Sequence, residues 1–295
     1  MWVDRDGSTE PLPLDSGLYY FPRISPDGSR VAVSDGPNVL VLELRRGIAQ
    51  RLPGAGGNVG TWSSDGTRVV FNTGGGGQRS LLWQLADGSG PQEPLTDSTN
   101  FQMAASWLPD DSGFLIVEGD PALNTTEDIL RFDFDQPDKP EELLNDDTYN
   151  EVYPALSPDG KWLAYASDES DRYEVYLRAF PSLEGKLQIS NAGGWMPSWS
   201  ESGDELYYLN PNVADGEQTM MAVSVSVTPT LRTETPRELF RGRFQTGFRI
   251  RSYDIAPDGR FLMIERGDTP APTHTSVRIV LNWFEELERL VPTEN

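Results

Sequence analysis

Six times along the chain an apolar residue or tryptophan runs into a short turn of the Ser-Pro-Asp-Gly type and then into an apolar strand. The turns lie at 25–28, 63–66, 108–113, 157–160, 200–203 and 256–259, led by Ile24, Trp62, Trp107, Leu156, Trp199 and Ile255. From Gly28 to Gly259 the mean spacing is about 46 residues, room for four short strands and their connections. Self-similarity at that period marks a repeat architecture, in which each unit buries a face it cannot cover alone.

The unit reads most plainly over 153–190. Tyr153-Pro154-Ala155-Leu156-Ser157 is a short strand with Leu156 inward. Pro158 pre-sets φ, Asp159 bonds back to the backbone, and Gly160 takes the positive-φ position of the hairpin turn. Trp162-Leu163-Ala164-Tyr165-Ala166 is a buried second strand, 173–178 alternates as a third, and Leu187-Gln188-Ile189-Ser190 is a short outer fourth. Four antiparallel strands around one turn form a propeller blade. The chain is therefore predicted to be all-β, a six-bladed β-propeller in a single domain spanning 1–295. A seven-bladed ring is the alternative and needs a half-blade that the sequence does not display.

The other copies follow the same pattern. Val31, Val69, Leu163, Leu206 and Leu262 all fall three residues past the turn glycine. The third copy departs from it, with Asp111 and Ser112 lengthening its turn. Trp62, Trp107 and Trp199 share one position with Ile24, Leu156 and Ile255, which assigns them to packing between blades rather than to a ligand platform. The last repeat offers three strands, the third at 277–283, but no clear fourth. The opening Trp2-Val3-Asp4-Arg5-Asp6-Gly7 resembles the blade end Trp83-Gln84-Leu85-Ala86-Asp87-Gly88, so the N-terminal strand is predicted to complete the final blade as its fourth strand and hide two edges. An opening already inside strand-like sequence suggests a segment of a longer protein.

Composition narrows the chemistry. The chain has no cysteine and one histidine, so disulfides, thiolate nucleophiles and multi-histidine metal centres are excluded. That histidine, His274, falls in a proline-rich loop, and no Gly-x-Ser-x-Gly elbow occurs. A formal charge of −22 argues against a nucleic-acid partner, which needs a basic face. No run of 18 apolar residues is present to insert into a membrane. A monomer is expected.

The repeats resemble the WD40-like units of TolB-like propellers. The stretches 165–170 and 174–181, Gly193-Gly194-Trp195-Met196-Pro197-Ser198-Trp199-Ser200, 253–262 and Leu281-Asn282-Trp283-Phe284-Glu285-Glu286-Leu287 resemble C-terminal propellers of bacterial serine/threonine kinases. That resemblance covers essentially the whole chain. It implies a TolB-like propeller acting as a sensing or protein-interaction module, extracytoplasmic if it follows a kinase and a transmembrane segment and cytoplasmic otherwise. The chain itself has no glycine-rich loop, HRD or DFG signature.

Function is expected where the repeat breaks down. Two positions before the aligned proline (Pro22, Pro154, Pro197) stand Tyr20, Asn58, Met103, Val152, Trp195 and Arg251, a varied ring at one channel mouth. Between 237 and 260, Arg237, Arg241, Arg243, Arg249, Arg251 and Arg260 face only Glu238, Asp254 and Asp258, a local charge of +3. Pairing with acidic loops is one reading. The other is a basic spot for a carboxylate, phosphate or acidic peptide, centred on Arg249 and Arg251. Asp168, Glu169 and Asp171 share a loop, and Asp133 and Asp135 one side of a strand, but calcium needs six or more oxygens and no cofactor is assigned. The expectation is a non-enzymatic propeller that binds a protein or small anionic ligand at the channel mouth. The alternative is a propeller enzyme (lyase, lactonase or peptidase-associated) with a carboxylate-based site there.

Overall fold

Hairpin turns with a fixed left-handed residue set the register of every blade. Gly28, Gly66, Gly160, Gly203 and Gly259 have φ of 69°, 66°, 68°, 74° and 84°. In the third copy Asp111, at φ 60°, takes that place, and its N–H reaches Leu108 O at 3.1 Å as Gly28 N reaches Ser25 O at 2.8 Å. The turn is therefore not lengthened, contrary to the sequence reading. Asp is one of the few residues that tolerates the left-handed region, so it stands in for glycine. The turn aspartates also cap their own loops: Asp27 accepts Ser25 Oγ at 2.6 Å and Ser29 N at 3.1 Å, and these bonds hold its carboxyl down at about 2.

The computed structural model describes residues 1–267 except Pro37, Ala55, 73–79, 120–125, 213–215, 227–230 and 248–249. The chain opens with β1 (Trp2–Val3) and β2 (Thr9–Glu10). The first blade is β3 (Tyr20–Ile24), β4 (Arg30–Ser34), β5 (Val39–Glu43) and β6 (Ile48–Arg51). The second is β7 (Val59–Trp62), β8 (Arg68–Asn72), β9 (Leu81–Leu85) and β10 (Glu93–Pro94). β11 (Phe101–Trp107), β12 (Gly113–Gly119), β13 (Asp128–Asp133) and β14 (Glu141–Leu144) form the third. β15 (Glu151–Leu156), β16 (Trp162–Ser167), β17 (Glu174–Ala179) and β18 (Lys186–Gln188) form the fourth. In the fifth, β19 (Trp195–Trp199), β20 (Glu205–Asn212) and β21 (Glu217–Ser226) lead to β22 (Arg232–Thr233) and β23 (Arg237–Gly242), both paired with β21.

The sixth sheet joins the two ends of this series. β24 (Asp254–Ile255) pairs β25 (Phe261–Leu262), β25 pairs β1, and β1 pairs β2. Among the described residues the N-terminal segment thus supplies the third and fourth strands of the last blade, not the fourth alone. Residues 277–283, expected as its third strand, and His274 lie outside the described residues. Trp2 pairs Leu262 and Val3 pairs Phe261, and the Met1 amino group donates to Met263 O at 2.9 Å. Arg5 adds a bidentate bridge to Glu205 of β20 at 2.7 and 2.9 Å. The unit Met1–Glu265 contains all six sheets, while Arg266–Asn295 forms a separate unit lying almost wholly outside the described residues.

Apolar clusters bridge neighbouring blades. Ala32, Val41 and Leu52 pack with Trp62, Val69 and Phe71, and Ala164 and Leu177 pack with Trp199 and Val223. Trp2 and Leu262 pack with Ile24, Val31 and Leu42, which carries the same interface across the closure. Trp62 Nε1 donates to Arg23 O (2.9 Å) and Trp199 Nε1 to Ala155 O (3.1 Å), each in the preceding blade. Trp107 instead donates to Asp111 and stacks on Phe114 in its own blade.

Two carboxyls sit badly in this framework. Glu151, at the start of β15, is only 8% exposed, and one of its oxygens makes no hydrogen bond among the described residues. Burial, then Asp146 and Asp128, pushes its carboxyl up to about 7. Burial, then Glu142 and Asp147, lifts Asp128 to about 6.

Two outcomes are expected. Deleting residues 1–10 bares the edge of β25 and should give aggregated material in size exclusion. A deletion product that stays monomeric and melts cooperatively would contradict the closure. For Glu151, the folded chain holds a proton that the unfolded chain has released above its ordinary carboxylate value, so stability falls as pH rises from about 4.5 to about 7. Glu151→Gln should melt with wild type at pH 4 and about 2–4 °C above it at pH 8, the effect of about 1 kcal/mol in a chain of this size.

Candidate binding site in the central channel

The inner strands do not run straight. Ladder register slips between Tyr20 and Arg23, Val59 and Thr61, Ala104 and Trp107, Val152 and Ala155, and Trp195 and Ser198. Each slip is a β-bulge, which bends its strand and re-aims the side chains beyond it. In three blades the bulge holds a left-handed residue just before proline: Phe21 (φ 55°), Tyr153 (φ 56°) and Met196 (φ 54°). A following proline disfavours the right-handed helical region, and an innermost strand has a free edge where the missing N–H is not needed. Each such conformation costs about 1–2 kcal/mol. Burying the Phe21, Tyr153 or Met196 side chain returns about 1.5–3 kcal/mol, so packing holds the bend.

Just beyond the bulge, one position before the blade-leading residue, stand Arg23, Thr61, Ser106, Ala155, Ser198 and Asp254. Where polar, this position stitches the ring together. Asp254 Oδ2 accepts Ile24 N at 2.8 Å from the next blade, and Ser106 Oγ accepts Leu156 N at 3.0 Å. Arg23 is the exception in charge and burial. It is 5% exposed, and its guanidinium donates to Gly60 O and Pro22 O at 2.7 Å and to Arg251 O at 2.8 Å. Burial, then the neighbouring Arg251, pushes it down to about 9. Gly60 in turn lies so close to the third blade that a Cβ there would stand 2.7 Å from Ala104 O.

Arg251 stands beside Arg23. Nε donates to Tyr253 O at 3.0 Å, Nη1 to Ser198 Oγ at 2.7 Å and Nη2 to Asp254 Oδ1 at 2.6 Å. Its side chain keeps 22% exposure. It lines an open depression of about 320 Å³ on the side of the hairpin turns, together with Pro26, Pro158, Trp199, Glu201 and Pro257. It also lines a much smaller cavity of about 20 Å³ deeper in the channel, shared with Arg23, Met103, Tyr153, Pro197 and Ile250.

The sequence-predicted ring is only partly assembled here. Met103 and Arg251 meet at the inner cavity, with Met103 buried and its Sδ accepting Asn72 Nδ2 at 2.9 Å. Tyr20 is half-buried against the Phe21 ring, 5.9 Å away, and Asn58 is tied through its N–H to Asn72 Oδ1 at 2.8 Å. Trp195 meets Tyr153 edge-on at 6.3 Å, and Val152 is core. None of Tyr20, Asn58, Val152 and Trp195 lines either cavity, and Arg249 lies outside the described residues. The arginine cluster resolves largely into pairs: Arg237 with Glu205, Arg241 with Glu238, Arg260 with Asp258 and Glu10, and Arg251 with Asp254. The loop acids are likewise engaged, Asp168 accepting Asn150 N at 2.8 Å and Glu169 pairing with Lys186. Among the described residues no group of three or more histidine or acidic side chains is placed to hold a metal ion, and no helix is long and apolar enough to cross a membrane.

Arg23 and Asp254 were missed. The signal was present, since they are the two charged residues at a position where the other copies carry threonine, serine or alanine.

No protein-family model matches the chain. Its fold is similar to that of a protein assigned as a TolB from Agrobacterium tumefaciens, with a TM-score of 0.66 at 18% identity over 84% of this chain and 89% of that one. TolB from Acinetobacter baumannii gives 0.64 at 18% identity, over 82% of this chain and 60% of that one. An oligogalacturonate lyase from Vibrio parahaemolyticus gives 0.58 at 14% identity, over 88% and 72%. Likeness at such identities is likeness of fold. With six sheets closed through the N-terminal strand, the chain folds as a TolB-like six-bladed β-propeller.

Proposed function

We propose that this propeller is a non-catalytic binding module that takes a short, carboxylate-bearing peptide segment of a partner protein at the turn-side mouth of its channel. The observation that carries this reading is Arg251 in the wall of the open depression. Three of a guanidinium's five N–H donors are committed there, to Tyr253, Ser198 and Asp254, which fixes the plane of the fork. The remaining donors suit a carboxylate, and pre-orientation lowers the entropy lost on binding. Prolines and serines of five blades surround this cation, giving a rigid, polar rim. On this reading the propeller would serve as the sensing part of a longer receptor of the kinase-linked kind that the sequence resembles.

Trp199 lines the depression and provides a fluorescence reporter. Acetylated tetrapeptides ending in aspartate are expected to bind, as followed by tryptophan emission and calorimetry. Their C-terminally amidated asparagine counterparts should bind at least tenfold more weakly. Arg251→Met should lose the same factor, about 1.4 kcal/mol. Equal affinity for acid and amide peptides, or unchanged binding by Arg251→Met, would refute the reading.

A further inference from the structure

The inner cavity carries an unbalanced charge. Arg23 and Arg251 are the charged residues among those described that line it, and the rest of its wall is apolar or backbone, chiefly Met103, Tyr153, Ile250 and Pro197. One carboxylate stands nearby. Asp254 gives one oxygen to Arg251 and the other to Ile24 N. The guanidinium of Arg23 has no carboxylate within ion-pair distance among the described residues, and it donates to carbonyl oxygens of Gly60, Pro22, Arg251 and Tyr253. Among the described residues, two cations and one anion thus leave one positive charge at this site, in a chain whose formal charge is −22. Carbonyls satisfy the N–H donors but do not neutralise the ion, and an uncompensated buried charge is costly.

We propose that the cavity between Arg23 and Arg251 is a binding site for a single halide ion, chloride in the ordinary case. Size selects this class. About 20 Å³ accommodates roughly one water-sized particle. A sulfate or phosphate would need donors for four oxygens, which the apolar walls of Met103, Ile250 and Pro197 do not supply. A halide is a spherical acceptor only slightly larger than water, weakly hydrated enough to accept apolar walls on its other sides. Water would fill the same space but leave the charge unbalanced. Arg251 lines both this cavity and the open depression of the peptide-binding reading, whereas Arg23 lines this cavity alone.

The test compares thermal melting of the full chain in sodium chloride, sodium bromide and sodium gluconate at matched ionic strength and pH. Halide should raise Tm along a saturating curve, by about 5–10 °C at a hundredfold excess over its Kd, while gluconate should not. Arg23→Met should melt at one temperature in all these salts. Crystals grown in bromide should show an anomalous-scattering peak between the two guanidinium groups, a reading on wild type that holds even if the variant fails to fold. Identical melting in halide and gluconate would overturn the proposal. So would halide stabilisation that persists in Arg23→Met, or bromide crystals with no peak in the cavity.

Discussion

The ladder between β25 and β1 is the contact on which the rest of the molecule depends. Each blade presents an apolar face that only its neighbour covers, so an open row of blades would leave two faces and two sheet edges in water. Pairing Trp2 with Leu262 and Val3 with Phe261 removes both at once and brings Ile24, Val31 and Leu42 against the last blade. Two residues per strand make a short ladder. The Met1–Met263 bonds and the Arg5–Glu205 bridge extend the join beyond the ladder itself.

Closing a ring of six blades also creates the channel. The inner strands bulge, the bulges turn prolines and one aromatic ring toward the axis, and the residues just beyond the bulges become the axial lining. Five such positions carry neutral or acidic side chains. The sixth carries Arg23, and the chain accommodates it with carbonyls from three different chain segments rather than with a carboxylate. Most of the described acids are exposed, where water screens them. The centre and the surface therefore have opposite electrostatic characters.

The architecture was legible because the turn motif is chemically strict. A left-handed residue after an aspartate-capped bend admits few sequences, so five glycines announce five turns. The sixth shows the limit of reading by letter: Asp111 occupies the glycine's place, and Gly113 only looks like its equivalent. The closure was legible in kind but not in position, because two-residue strands such as Trp2–Val3 carry too little pattern to number. The channel was less legible still. Met103 and Trp195 sit at equivalent places in the repeat, yet one lines the inner cavity and the other packs beside Tyr153. Side-chain direction past a bulge depends on local twist, which spacing does not encode. Arg251 was found from its charge, but it turns away from the mouth where the ring was expected and toward the opposite one.

The closure sets a timetable as well as a shape. β1 leaves the ribosome before the other strands of the ring, yet its partner β25 follows some 260 residues later. At about 5–20 residues per second that is a wait on the order of ten to fifty seconds. Throughout it, the first blade's face toward the last blade and the edge of β1 that pairs β25 lack their native cover. Contacts this distant in sequence form slowly even once both strands exist. The same two short strands that abolish the edge in the finished ring thus make the growing chain most vulnerable to pairing with a neighbour, and the blades between must hold their own shape until the ring can shut.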